Sequence, residues 1–243
     1  MIALLGVLRT TLAILHTACC SVVGILAMST GLRDGDWVMW KIGRQRWSEP
    51  LLRWIVRTDI EVQLPQEIQN WAAQGRGAVL VANHTSLLDI NAAFAACPAP
   101  IVFLSKASIR KVPLLGKINE MAGTVFVERG NRNSSDKAVR ELTETLNKGR
   151  NVLVFPEGTR SPNGKLQSFK KGAFHLAKAA NAPIVPLHIA GTWVILPSDA
   201  WILKKARRPV IVQFGTPIES KDKNIGDLMA EAQAQIEQLA SLH

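Results

Sequence analysis

Cysteine is scarce in this 243-residue chain: Cys19, Cys20 and Cys97 are its three, and they form no CxxC pair and no Cys/His set at metal-ligand spacing. That spacing argues against both a disulfide scaffold and a zinc site. No internal repeat or long low-complexity tract is present, and Ser161–Gly164 reads as an ordinary surface loop. Acidic residues are the minority, 19 Asp+Glu against 29 Lys+Arg, which gives a formal charge of +10. A basic balance suits a polyanionic partner such as nucleic acid, an anionic membrane surface or a phosphorylated small molecule. The basic residues are not interleaved with a recognition helix or a stacking platform, which disfavours nucleic acid. Nor does any Ser or Cys sit in a nucleophile elbow such as GxSxG, so covalent catalysis on the protein has no candidate.

Charge is missing altogether from Thr11 to Thr30, TLAILHTACCSVVGILAMST. This run approaches the roughly 20 residues that cross a bilayer core. Arg9 ahead of it would suit a signal peptide, but Met28-Ser29-Thr30 is a poor cleavage site, so a retained anchor is the preferred reading and a buried core helix the alternative. Next come Trp37, Trp40, Trp47 and Trp54 among Arg33, Lys41, Arg44, Arg46, Arg53 and Arg57. On a helix turning about 100° per residue the four tryptophans would share one face, as in a helix lying among lipid headgroups. Gly43 and Pro50 are expected to break this stretch into two short helices. The basic excess after the anchor places the following domain on the cytoplasmic side of the membrane. The length allows one sizeable core with an accessory segment. The division expected is 1–58, a membrane-associated helical segment, and 59–243, a catalytic domain.

After Val62 short apolar runs alternate with amphipathic ones. Ala78–Val81, Ile101–Leu104, Thr124–Val127, Val152–Phe155, Ile184–Ile189 and Val210–Phe214 read as buried strands. Leu87–Ala96, Ser135–Lys148, Lys170–Ala180 and Ile225–Leu239 have helical spacing. The alternation predicts an α/β fold, a mixed and largely parallel sheet flanked by helices.

Working residues in such sheets gather where strands end. Asn83-His84, Glu128-Arg129 and Pro156-Glu157-Gly158-Thr159-Arg160 fall at three of those ends. His84 and Asp89 are five apart, about 140° on a continuous helix, and so would not face each other. With His84 in the loop and Thr85 or Ser86 capping a helix that begins near Leu87, Asp89 can fold back onto the imidazole. A carboxylate on one ring nitrogen fixes the tautomer and leaves the other as a base. This is half of a charge relay, with the nucleophile left for a substrate hydroxyl to supply. Gly158 permits close backbone approach, while Arg160, Arg129 and Lys106 could grip a phosphate or carboxylate.

These residues resemble a known set of ordered blocks, that of the glycerolipid acyltransferases, and in particular the bacterial 1-acylglycerol-3-phosphate acyltransferases. Asn83-His84 through Asp89 is similar to the block NHxxxxD, Gly123–Arg129 to the second, Phe155–Ser161 to the third and Ile184-Val185-Pro186 to the fourth. Lys106, Pro113 and Gly116 resemble the K…P…G run between the first two, and Phe169–Phe174 resembles an F-K-x-G-A-F segment. The likeness spans about residues 78 to 215. It departs at Glu128, where many members have Asp.

The resemblance implies His84 as general base and Asp89 as its orienting partner. It also implies Lys106, Arg129, Glu157, Gly158, Thr159 and Arg160 around a glycerol phosphate. The implied reaction carries an acyl group from acyl-CoA or acyl carrier protein to the sn-2 hydroxyl of lysophosphatidic acid, forming phosphatidic acid. Membrane lipids are expected partners, with no metal or other cofactor and no nucleic acid. The implied location is a bacterial inner membrane. The rival readings are acylation of another lysolipid or an amino-acid-derived one, and a non-catalytic lipid-binding protein.

Overall fold

The computed structural model describes residues 2–128 and 130–242. It opens with a long helix, α1 (Ile2–Ser29), then a single turn, α2 (Gly35–Trp37), and two π-helical segments, Val38–Ser48 and Leu51–Val56. The rest alternates: β1 (Ile60–Gln63), α3 (Gln66–Ala73), β2 (Val79–Ala82), α4 (Leu88–Ala96), β3 (Ile101–Lys106) and α5 (Leu115–Met121). There follow β4 (Val125–Val127), α6 (Arg132–Asn147), β5 (Asn151–Val154), α7 (Gly172–Ala180), β6 (Ile184–Ala190), α8 (Thr192–Ile195), β7 (Val210–Phe214) and α9 (Ile225–Ala240).

The strands form one sheet in the order β1-β7-β6-β2-β5-β3-β4, and only β6 and β7 run antiparallel. Both faces are covered, which is why the central strands β2, β5 and β6 are apolar but for Asn151 and His188. Val79 and Val81 of β2 point into one core with Leu142 of α6, Phe174 of α7 and Leu228 of α9. Leu80 and Ala82 point into the other, with Ala92 and Phe94 of α4. That second layer is extended by Met39, Leu51, Leu52 and Val56 from the π-helical segments.

The six expected strands and four expected helices are present. β1 is an addition: its residues are half-buried or exposed at the sheet edge, so Ile60–Gln63 never forms an apolar run. The segment after α1 corrects two expectations. It is helical without interruption from Gly35 to Val56 and ends at Arg57, whose φ is 62°. Gly43 does not break it, because the absent side chain makes room for Phe94; a Cβ there would lie 3.0 Å from the ring. Pro50 keeps helical angles, φ −65° and ψ −37°, at the junction of the two π-helical segments. The i→i+5 bonding changes the angular step, so the tryptophans do not share a face. Trp47 turns inward, donating from Nε1 to Thr17 Oγ1 at 2.9 Å and meeting Phe94 edge-on, whereas Trp54 is 74% exposed.

α1 is long and apolar enough to cross a membrane, with mean hydropathy 2.0 over its best window. Its packing is inverted relative to a helix of a water-soluble core. Small residues, Gly6, Thr10, Ala13, Thr17, Ser21 and Gly24, form the inner stripe against the domain. The large side chains Leu4, Leu8, Leu12, Ile14, Leu15, Val23 and Leu26 face outward, each at least 45% exposed. An amphipathic helix in water buries the opposite face.

Candidate active site

Asn83 ends β2 by a two-way clasp on β6: its side-chain N–H donates to the Ile189 carbonyl at 2.9 Å, and Ile189 N–H donates back at 2.7 Å. This fixes the exit of the chain at His84. Two residues after His84, the Ser86 hydroxyl accepts the Leu88 N–H at 3.1 Å just ahead of α4, so Asp89 lies in the first turn, as the spacing predicts.

Asp89 is fully buried. Its Oδ2 accepts from Thr85 N–H at 2.6 Å and Ser86 N–H at 2.8 Å, and lies 2.9 Å from His84 Nδ1. Its Oδ1 accepts from the Thr192 hydroxyl at 2.5 Å. An ionised carboxylate can only accept. The shared proton therefore sits on His84 Nδ1, and Nε2 carries the lone pair. Phe155 stacks on the imidazole, 4.0 Å between centroids and 16° between planes, so the ring is held on a face as well as an edge.

Thr192 was not legible beforehand, being 103 residues from Asp89 in the chain and part of no motif. A valine here would leave Oδ1 without its donor in a buried setting. Hydrogen bonds to charged groups are worth about 1.5–3 kcal/mol. Thr192→Val is expected to lower turnover roughly tenfold, while Thr192→Ser keeps it near the parent level. Full pH profiles of kcat for both variants check this, since loss of packing alone would not shift the profile.

The third block forms a turn, closed by Gly158 N–H on the Phe155 carbonyl at 3.0 Å, with Gly158 at φ 75°. The positive φ strains any other residue there, and a Cβ would also push aside Lys170, whose Nζ would be 2.7 Å from it. The turn aims Glu157 backwards. Oε1 accepts the His84 N–H at 2.7 Å, and Oε2 accepts the backbone and side-chain N–H groups of Gln167 at 3.2 and 3.1 Å. The Ser161 N–H donates to the His84 carbonyl at 2.7 Å, so both backbone groups of His84 are tied to this block. With both its oxygens engaged inside the protein, Glu157 holds the loop that bears His84. The F-K-x-G-A-F likeness is structural as well: Lys170 N–H donates to the Pro156 carbonyl at 2.9 Å, and Phe169 and Phe174 stack in the core.

Burial pushes the Glu157 carboxyl above its ordinary range, opposed by the His84 and Gln167 donors and then by the His84 ring. The folded chain thus binds more protons than the unfolded chain just above the usual glutamate pKa. Stability falls as pH rises through that window. Glu157→Gln is expected to flatten this slope while costing about 1 kcal/mol for the mismatched Gln167 donors. Thermal melts of both proteins across mildly acidic pH give the difference directly.

Beside His84 opens a cavity of about 430 Å³. Its walls are mostly apolar: Met39, Ile42 and Trp47 from the π-helical segment, Ile90 and Phe94 from α4, Phe103 and Leu104 from β3, and Leu115 and Ile118 from α5. α1 contributes Thr17, Cys20 and Ser21. The hydroxyls of Thr17 and Ser21 donate to carbonyls one turn back, at 2.8 Å each, so they add little polarity to the wall.

Of the sequence-derived residues, His84, Lys106 and Gly158 line this cavity and Asp89 backs His84. Thr159 is exposed and Arg160 half-buried on the flanking loop, and neither lines the cavity. Arg129 lies outside the described residues. Gly116, of the K…P…G run, has a plain steric reason: a Cβ would collide with the Arg110 carbonyl.

A family-wide Acyltransferase profile matches residues 59–190, more than half of the chain. The sequence is 38% identical over 167 residues to a 1-acyl-sn-glycerol-3-phosphate acyltransferase of Chlamydomonas reinhardtii, covering 68% of this chain and 50% of that one. It is 35% identical over 170 residues to the chloroplastic 1-acyl-sn-glycerol-3-phosphate acyltransferase LPAT1 of Arabidopsis thaliana, covering 70% and 46%. The chain thus spans about half the length of these curated relatives. The structure resembles the crystal structure of the 1-acyl-sn-glycerophosphate (LPA) acyltransferase PlsC from Thermotoga maritima, at 26% identity and TM-score 0.74, covering 97% of this chain and 98% of that one. With a profile matching more than half of its length and a relative 38% identical over 68% of it, this chain belongs to the acyltransferase family.

Proposed function

We propose that the protein transfers a fatty acyl group from a thioester, acyl-CoA or acyl carrier protein, to the free sn-2 hydroxyl of lysophosphatidic acid, forming phosphatidic acid. The observation that carries this reading is the pairing of a one-sided base with an adjoining apolar cavity. His84 Nε2 takes the hydroxyl proton as the substrate oxygen attacks the thioester carbonyl carbon. The C–O bond forms and the C–S bond breaks. The departing thiolate recovers the proton from the imidazolium, so His84 ends as it began. Asp89 stabilises the imidazolium between the two steps. The cavity is the site for an acyl chain, since its lining offers apolar surface and few free polar groups. Lys106 at the cavity wall supplies positive charge for the acceptor's phosphate, with Arg160 on the flanking loop. The names of the relatives support the choice of a lysophosphatidic acid acceptor.

The outward apolar face of α1 supports a membrane location. Because the inner face of α1 packs along the domain, we read α1 as seated in the membrane beside the catalytic domain.

The test is acyl transfer by the full chain in mild detergent, with lysophosphatidic acid and a panel of other lysolipids as acceptors. Formation of phosphatidic acid in preference to other products is expected. Lys106→Ala should raise KM for the phosphorylated acceptor by about tenfold, with a smaller effect on a neutral acceptor. Equal rates across acceptors differing in headgroup charge would overturn the choice of acceptor.

A further inference from the structure

The segment between α8 and β7 has no part in the reaction just described. It runs Leu196–Pro209 and includes Trp201-Ile202-Leu203-Lys204-Lys205-Ala206-Arg207-Arg208. β6 runs parallel to β2, so this segment leaves the sheet at the same end as His84. Its conformation is fixed. Leu203 is buried, Leu203 N–H donates to Thr10 Oγ1 of α1 at 2.9 Å, and the Lys204 N–H donates to the Ile195 carbonyl at 2.9 Å. The Thr58 hydroxyl donates to the Arg208 carbonyl at 3.2 Å. Ile202 packs so closely on α1 that a Cβ on Gly6 would lie 2.8 Å from it.

Despite these ties, Trp201 is 79% and Ile202 47% exposed. The side chains of Lys204, Lys205, Arg207 and Arg208 are exposed, and none has a carboxylate or hydrogen-bond partner among the described residues. Asp199 is the one acid in the segment. These ties on both sides of it leave Trp201 outside the core, and water gives the ring nothing in return for its exposure. The apolar tip also adjoins the N-terminal half of α1, whose Leu4, Leu5 and Leu8 are exposed.

We infer that residues 201–208 form a second membrane contact, in which Trp201 and Ile202 enter the interface and the four cations bind anionic phospholipid headgroups. Tryptophan fits the boundary because its ring is apolar and its N–H polar. Lysine and arginine reach headgroups over their aliphatic stems. An acidic protein partner would account for the cations and leave unexplained the apolar tip that continues the surface of α1. With α1 along one line and this loop beside it, the domain is held in a single orientation, its strand ends towards the lipid. The inference stands apart from the acyl-transfer reading, because it concerns binding and is tested without substrate.

The full chain is diluted from detergent into an equal mixture of two vesicle populations, one of phosphatidylcholine and one containing phosphatidylglycerol as well, distinguishable by density after flotation. The parent protein is expected to favour the anionic vesicles, and the combined Lys204→Gln, Lys205→Gln, Arg207→Gln, Arg208→Gln variant to lose at least about fivefold of that preference at low salt. Trp201→Ser with Ile202→Ser should lower capture by both populations. A control neutralises Lys137 and Arg140 on α6, Lys148 just after it, and Lys221, and should keep the preference. Thermal melts in detergent establish that each variant is folded. Unchanged preference in the loop variant overturns the inference, as does an equal loss in the control, which would assign the effect to net charge. Retained preference with lost binding of an acidic carrier protein would assign the patch to a protein and overturn it too.

Discussion

Replacing His84 with alanine is expected to lower kcat for acyl transfer by about 10²- to 10⁴-fold, the range removed with a positioned general base. The loss should appear in kcat, with KM little changed, because Nε2 acts on a proton that moves only in the transition state. The fold should survive. His84 is held through backbone bonds to Glu157 and Ser161, which any residue retains. Steady-state rates and thermal melts on the same preparation separate the two effects. Undiminished turnover would remove His84 from the chemistry.

The second large effect concerns Asp89, where two substitutions should part company. In Asp89→Asn the carbonyl oxygen can keep the Oδ2 position and its N–H donors from Thr85, Ser86 and His84. The amide N–H can then meet Thr192, whose hydroxyl accepts as readily as it donates. Geometry and tautomer are retained, but the negative charge opposite the imidazolium is gone. We expect kcat to fall about 10²-fold with little loss of stability. In Asp89→Ala the same donors are buried without an acceptor, at about 1–3 kcal/mol each. That variant should lose turnover and several degrees of thermal stability together. Equal melting temperatures for the two variants would contradict the account of Asp89 as a buried acceptor for donors on both its oxygens.

Local pattern made the central sheet readable. β2, β5 and β6 are buried on both faces, so each is an apolar run, broken only by Asn151 and His188, that stands out from its flanks. β1 has polar residues on an exposed edge and gave no such signal. The π-helical stretch departs from its pattern for another reason. Spacing translates into angle at the α-helical step, and nothing in Val38–Ser48 announces a different one.

The site divides along the same line. His84 and Asp89 were legible because the loop and first turn that join them are local. Glu157 stands in a recognisable block, but its bond to the His84 N–H spans 73 residues and no spacing discloses it. Thr192, which opens α8 after β6, and Phe155, which follows β5, act on the pair from distant parts of the chain, and only the assembled sheet brings them there.

The Thr192 bond has a bearing on how the protein is made. Asp89 and Thr192 are 103 residues apart, and β6 must dock beside β2 before they meet. Contacts at such separation form late, since loop closure comes before any gain from pairing. A nascent chain that has emerged only as far as α7 carries the complete His84/Asp89 motif without its finished geometry. Onset of turnover in a series of lengthening chains would therefore serve as a clock for completion of the sheet.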